Sequence, residues 1–295
     1  MSWMPIMGTK VQNTAAWMAG CRASLPKISL DIFAKLWLNP AALKKHSEYV
    51  TDVSPLEDVC LSLRNRFFLE HVEKFLLEDK GIFINLGAGF SSLSYLLPDG
   101  HNYIEIDHPN NIRRKKKLVS QLVVKGLLPK RSIDFISVDL NNLGEINTLQ
   151  EALQKKVKQK RCFLLMEGLL YYLSQTSADA LFKLANKILS PGSQFGLVTW
   201  NPETFKYPVY KRFEQFLQEK GQSLPKFICH NPSQIASLAH YQLVKQVDYK
   251  MLSAEYTNSP LKDSDDAFWE IMTILERETN EYTLPNPASR DLRRS

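Results

Sequence analysis

The residues able to do chemistry converge on one stretch of this 295-residue chain. Gly87-Ala88-Gly89 closes the apolar run IFINL, and 20 residues after Gly87 the acid Asp107 closes a second run, NYIEID. A strand that stops at Gly-x-Gly lets its backbone come within contact distance of a ligand. A carboxylate at the end of the neighbouring strand can accept both hydroxyls of a ribose. The pair is a nucleoside-binding pattern. Asp139 and Glu167 stand at the ends of two later runs. Glu167 directly follows CFLLM, where a carboxylate is costly to bury without a partner or an opening to a cleft.

The turn distinguishes two cofactor classes. A dinucleotide site takes a third glycine in G-x-G-x-x-G, so that the helix packs closely beside the pyrophosphate. Here that position is Ser92. A nicotinamide oxidoreductase stays open as the alternative, but S-adenosylmethionine has no pyrophosphate. It needs only close backbone approach and carboxylates for its ribose and amino groups.

Elements must hold these residues. Residues 11–76 read as helical: Thr14 can cap a first helix, 30–38 is apolar and stops at Asn39-Pro40, and a long helix from about Pro55 carries Val59, Leu63, Phe67, Val72 and Phe75. From Gly81 the rhythm changes to short buried strands near 82–86, 103–106, 133–138, 162–166 and 195–200. Helices between them fall near 90–97, 109–125, 143–156 and 177–189. This alternation predicts an α/β fold with a doubly wound, mostly parallel Rossmann-like sheet, and places ligands at the carboxyl ends of its strands. Past Trp200 the pattern loosens. Residues 205–220 read as a helix whose five aromatics pack core and cap, 225–232 as irregular, 241–249 and 251–256 as an antiparallel edge pair, and 265–278 as a helix. The predicted organisation is a helical cap over 1–80 and a core over 81–295 with a cap insertion near 201–235.

Composition sets outer bounds. A hydrophobic content of 44% supports a large core, and a net charge of +6 is only mildly basic. The run Arg113-Arg114-Lys115-Lys116-Lys117 reads as a solvated helix face, so no nucleic-acid partner is expected. Four cysteines without a C-x-x-C pair and six histidines without metal spacing predict neither disulfides nor a metal. With no signal-peptide layout and no apolar run of about 18 residues, the expectation is a cytoplasmic protein with no membrane partner.

Asn85-Leu86-Gly87-Ala88-Gly89, Glu105-x-Asp107-x-Pro109, Asp139-Leu140 and Glu167-Gly168-x-x-x-Tyr172-Leu173 together resemble the leucine carboxyl methyltransferase family. That family includes enzymes acting on a phosphatase C-terminus and bacterial relatives acting on polyketide carboxyl groups. The segment from Thr14-Ala15 through Arg22-Ala23, with Leu38-x-Pro40, is similar to the bacterial branch. The resemblance spans about 11–200 and implies an S-adenosylmethionine-dependent carboxyl O-methyltransferase. It implies Arg64 for the methionine carboxylate, and Gly87, Ala88 and Gly89 for the turn against the methionine moiety. Asp107 falls to the ribose, Asp139 and Leu140 to adenine, Glu167 to the amino end and the sulfonium, and Tyr171 and Tyr172 to the substrate side. Where relatives carry an Asp-Thr-Arg-like run after the turn, this chain has Ser91-Ser92-Leu93, which leaves a non-catalytic cofactor-binding relative open as a further alternative beside the oxidoreductase. An acceptor carboxylate is already ionised at neutral pH, with a reference pKa of about 4, so the expected chemistry requires no general base.

Overall fold

Residues 12–78, 81–220 and 240–278 are described by a computed structural model. Its sheet is built from β1 (Ile82–Leu86), β2 (Asn102–Asp107), β3 (Ile133–Ser137), β4 (Cys162–Met166), β5 (Gln194–Trp200), β6 (Tyr241–Asp248) and β7 (Glu270–Arg277). The strand order is β3-β2-β1-β4-β5-β7-β6. The first five strands are parallel, and β7 runs antiparallel between β5 and β6. This is the doubly wound α/β architecture expected from the alternation of runs. After β1 the chain builds outward through β2 and β3, then returns to build on the other side through β4. The crevice at a switch point of this kind opens at the carboxyl ends of the strands.

Pleating divides each buried run between two cores. In β4, Phe163 and Leu165 join one core and Cys162, Leu164 and Met166 the other; in β1, Phe83 opposes Ile82, Ile84 and Leu86. The first core is covered by α4 (Glu57–Glu78), which sends Phe67, Phe68 and Phe75 onto the sheet, and by Leu252 of α10 (Tyr249–Tyr256). The second is covered by α7 (Leu143–Val157) and α8 (Gln175–Ile188). Outside α4 lie α1 (Gln12–Ser24), α2 (Pro26–Ser29) and α3 (Pro40–Asp52). Asn39 caps α3 by accepting the Ala42 N–H at 2.8 Å. The aromatics of α9 (Pro208–Glu219) reach this layer, Phe213 and Phe216 meeting Tyr49.

Several elements differ from the sequence expectation. Residues 251–256 form the last six of the eight residues of helix α10, capped by Asp248, whose side chain accepts the Met251 N–H at 2.9 Å. The expected helix over 265–278 is the strand β7 instead. In a run such as EIMTILER, largely buried on both faces inside a sheet, Ile271, Met272, Ile274 and Leu275 follow no diagnostic period. The antiparallel pair at this edge is therefore β6 with β7. The helix after the glycine turn shrinks to one turn, α5 (Leu93–Leu96): at its start the turn runs on to Ser91, whose N–H donates to the Ala88 carbonyl at 2.9 Å, and at its end Leu97 is extended before Pro98. Thr14 lies inside α1 rather than at its cap. The irregular segment 225–232 and most of the expected insertion lie outside the described residues. Among the described residues no helix is long and apolar enough to cross a membrane.

Candidate active site

The glycine turn is locked to the neighbouring strand. Gly87 and Ala88 donate their N–H groups to the Ile106 carbonyl at 2.8 and 3.1 Å, and the Gly89 N–H donates to Asp107 Oδ2 at 2.6 Å. Gly87 holds φ +72°, and a Cβ there would stand 2.9 Å from Leu169 Cδ1. Both conformation and space thus require glycine. Asp107 Oδ1 accepts the His108 N–H at 2.6 Å and Asn111 Nδ2 at 2.8 Å. Three donors therefore fix this carboxylate at the start of α6 (Pro109–Val124).

Beneath the turn lies an ion cluster. Arg64 of α4 donates from Nε to Glu167 Oε1 at 2.9 Å and from Nη1 to Glu270 Oε2 at 2.6 Å, all three groups being nearly buried. Burial alone disfavours the guanidinium charge, but Glu270 and Glu167 more than offset it and its pKa is raised. Glu270 also accepts Tyr171 Oη at 2.6 Å, Trp200 Nε1 at 3.2 Å and the Tyr249 hydroxyl. Burial, then the Glu270 charge, pushes the Tyr171 and Tyr249 phenols up, so both stay protonated donors. Sequence reasoning missed Glu270, although AFWEIMTIL shows the signal that marked Glu167: a carboxylate against an apolar run.

A third buried acid, Glu57, faces this cluster from the first turn of α4. Burial and the Glu270 charge raise its pKa to about 8, against the weaker pull of Arg64 and the Ser54 hydroxyl; Asp58 adds to the rise. The native state thus holds a proton that the unfolded chain, with its ordinary value of 4.5, releases earlier. Stability falls as pH rises through this window and levels off above about 8. Glu57→Gln should remove that slope, gaining on wild type by up to about 1.4 kcal/mol per pH unit between roughly 5 and 8. Urea denaturation across the window checks it, and parallel curves for the two proteins would refute it.

Arg64, Gly87, Ala88, Gly89, Asp107, Asp139, Leu140, Glu167 and Tyr172 line a single cleft at the carboxyl ends of the strands. Tyr171 is not brought to it: its ring stacks on Trp200 at 4.4 Å and its hydroxyl points to Glu270. Asn141 closes one wall, donating to the Tyr172 carbonyl at 3.0 Å and accepting the Ser174 N–H at 3.0 Å. Arg22, also lining the cleft, pairs with Asp31 at 2.9 Å and donates to the Phe90 carbonyl at 2.8 Å, pinning α1 to the turn. Ser91 faces the cleft, whereas Ser92 is buried and accepts Trp37 Nε1 at 2.8 Å. Within the basic run, Lys115 is an exception to the solvated face. It is 1% exposed and ion-paired with Glu105 at 2.7 Å.

Elsewhere, His46 Nε2 lies 2.8 Å from Asp58 Oδ1, and with the Cys21 thiol their donor atoms fall within 4.8 Å of one another. The His46–Asp58 bond accounts for two of the three as a clamp between α3 and α4. Cys229 and His230 lie outside the described residues.

The cleft suits S-adenosylmethionine better than a dinucleotide. Its lining carries two arginines against three carboxylates, Asp107, Asp139 and Glu167, an excess that matches a ligand with ammonium and sulfonium charges. A pyrophosphate would instead want the amino end of a full helix. The turn here leads into a single helical turn without a side-chain cap.

The sequence model of the leucine carboxyl methyltransferase family matches residues 14–186. A comparison with curated proteins gave no significant sequence match. Among solved structures, a candidate methyltransferase from Thermobifida fusca YX superposes with a TM-score of 0.60 at 13% identity, covering 93% of this chain and 100% of that one. A DUF574 family protein from Streptomyces avermitilis MA-4680 superposes with a TM-score of 0.59 at 10% identity, covering 88% and 97%. At such identities the likeness is one of fold, and the family match carries the assignment. The chain belongs to the leucine carboxyl methyltransferase family and is an S-adenosylmethionine-dependent methyltransferase.

Proposed function

We propose that this methyltransferase methylates a carboxylate oxygen, of a small molecule or a protein C-terminus, with the cleft described above as its cofactor site. One observation carries the reading: the glycine turn, Arg64, Asp107, Asp139 and Glu167 come from five separate parts of the chain and line the same cleft. Bound there, S-adenosylmethionine supplies a methyl group on a positively charged sulfur. Arg64 meets the carboxylate of the methionine moiety, and Gly87, Ala88 and Gly89 bring backbone against it. Asp107 accepts from the ribose, Asp139 and Leu140 flank the adenine, and Glu167 faces the amino end. Tyr172 borders the acceptor side, with Tyr171 behind it. In this reading residues 1–80 act as the helical cap and 81–295 as the core with its cap insertion near 201–235, of which 221–235 lie outside the described residues. The three described cysteines, all buried free thiols, suit a reducing cytoplasm.

A carboxylate acceptor fits the chemistry of the lining. His108, the imidazole that lines the cleft, caps α6 by accepting the Asn110 N–H at 3.3 Å, which occupies its Nδ1. An acceptor that arrives ionised needs no proton removed, so catalysis reduces to alignment, worth about 7–11 kcal/mol when reactants are held in line. The family match favours this over a nicotinamide oxidoreductase.

Calorimetric titration with S-adenosylmethionine tests the site: Asp107→Ala should weaken binding at least about tenfold, and equal binding by both proteins would reject it. With an isotopically labelled methyl donor, label transferred to a carboxylate should be lost in mild base, as an ester is. Base-stable label would overturn the carboxylate acceptor.

A further inference from the structure

We infer that Glu270 is the positioning residue that aims Arg64 at the carboxylate of the cofactor's methionine moiety, so that recognition of that carboxylate depends on a strand beyond the family-matched residues 14–186. The inference rests on the cofactor site proposed above.

Arg64 carries five N–H donors in a rigid plane. Glu167 engages Nε and Glu270 engages Nη1. The remaining Nη2 makes no hydrogen bond among the described residues. It lies beside Gly168, where an added Cβ would stand 3.3 Å from it. Arg64 and Gly168 both line the cleft. Two carboxylates thus hold two edges of the guanidinium and leave the third beside a residue without a side chain.

Glu270 is itself immobilised. Oε1 accepts Tyr171 Oη and Trp200 Nε1, and Oε2 accepts Arg64 Nη1 and the Tyr249 hydroxyl. Four donors fill the roughly four lone-pair sites of a carboxylate. Register explains its location: Glu270 pairs with Trp200, the last residue of β5. Because β7 runs antiparallel, its first residue falls at the same sheet edge as the ends of the parallel strands. Glutamine in its place keeps the shape but brings one acceptor oxygen and an N–H₂ group to four donors. Some of those bonds must break, releasing the constraint on Arg64.

The test compares binding of S-adenosylmethionine and its decarboxylated analogue, by calorimetry, to wild type, Glu270→Gln and Tyr249→Phe. Wild type should prefer the carboxylate-bearing ligand by roughly 10- to 100-fold, the worth of a hydrogen bond to a charged group. In Glu270→Gln that preference should shrink to within about threefold, while affinity for the decarboxylated ligand changes little. Tyr249→Phe, which removes one of the four donors and keeps the packing, should fall between the two and decides the matter if Glu270→Gln does not fold. A merely structural role would weaken both ligands alike, and that result, or an undiminished preference in the variants, overturns the inference alone. A wild type without any preference overturns the Arg64 assignment as well.

Discussion

Replacing Lys115 by methionine should lower the unfolding free energy by about 3–5 kcal/mol, the cost of leaving a buried charge without its partner. Lys115 Nζ sits 2.7 Å from Glu105 Oε2, with side-chain exposures of 1% and 0%. The other Glu105 oxygen accepts the Ser94 hydroxyl at 2.8 Å, and Lys115 also donates to the Ser91 carbonyl at 2.8 Å. Methionine matches the length of the lysine stem but not its charge, so Glu105 must either ionise alone in the core or take up a proton. The double variant Lys115→Met/Glu105→Gln should recover much of the loss, because no bare charge remains. Urea denaturation of the three proteins measures this. A single variant within about 1 kcal/mol of wild type would show that the pair is not what holds this face of the turn.

Arg64→Leu is expected to be comparably severe and to abolish cofactor binding as well. The substitution leaves Glu167 and Glu270 facing each other without the cation that now lies between them, 2.9 and 2.6 Å away. A loss of about 3–5 kcal/mol follows from the same physics. The loss should grow as pH rises, since at least one of the two acids can then keep its proton in the fold only at the expense of stability. In a double-mutant cycle with Glu270→Gln the two changes should couple by about 1–3 kcal/mol rather than add. Simple additivity would mean that Arg64 and Glu270 do not act as a unit. Calorimetry should detect no S-adenosylmethionine binding to Arg64→Leu at concentrations that saturate wild type.

Both predictions turn on residues whose neighbours are remote in the chain, and the same division runs through the fold. The parallel half of the sheet was legible because its strands are short, mostly apolar runs, four of the five reaching a glycine or an acid within two residues of their ends, and because the helices between them carry their own period. The antiparallel half was not. EIMTILER is buried on both faces, so its apolar residues follow no period that would separate strand from helix, and YKMLSAEY is too short to show one. The helix after the turn is shorter than its apolar residues suggest, because the glycine turn takes up Phe90 to Ser92 at one end and Pro98 acts backward on the conformation of Leu97 at the other.

The site divides in a similar way. Gly87, Gly89, Asp107, Asp139 and Glu167 stand at strand ends, and strand ends in a doubly wound sheet must meet at one edge, so their convergence was determined by the sequence itself. Tyr171 and Tyr172 are adjacent and chemically identical, yet one lines the cleft and the other is buried against Trp200 and Glu270. Successive side chains in a short 3₁₀ turn diverge, and which one faces inward depends on what the rest of the chain packs there. Lys115 was indistinguishable from its neighbours in a basic run until α6 was laid against Glu105. Glu270 entered the site only through the antiparallel registry of β7 with β5, which pairs it with Trp200. The sequence alone determined the doubly wound sheet, the edge at which the ligand must sit and most of the groups that reach it, because these follow from local period and turn chemistry. Only the tertiary structure decided which buried charges compensate one another, because a carboxylate's partner is set by packing in space and leaves no spacing in the chain.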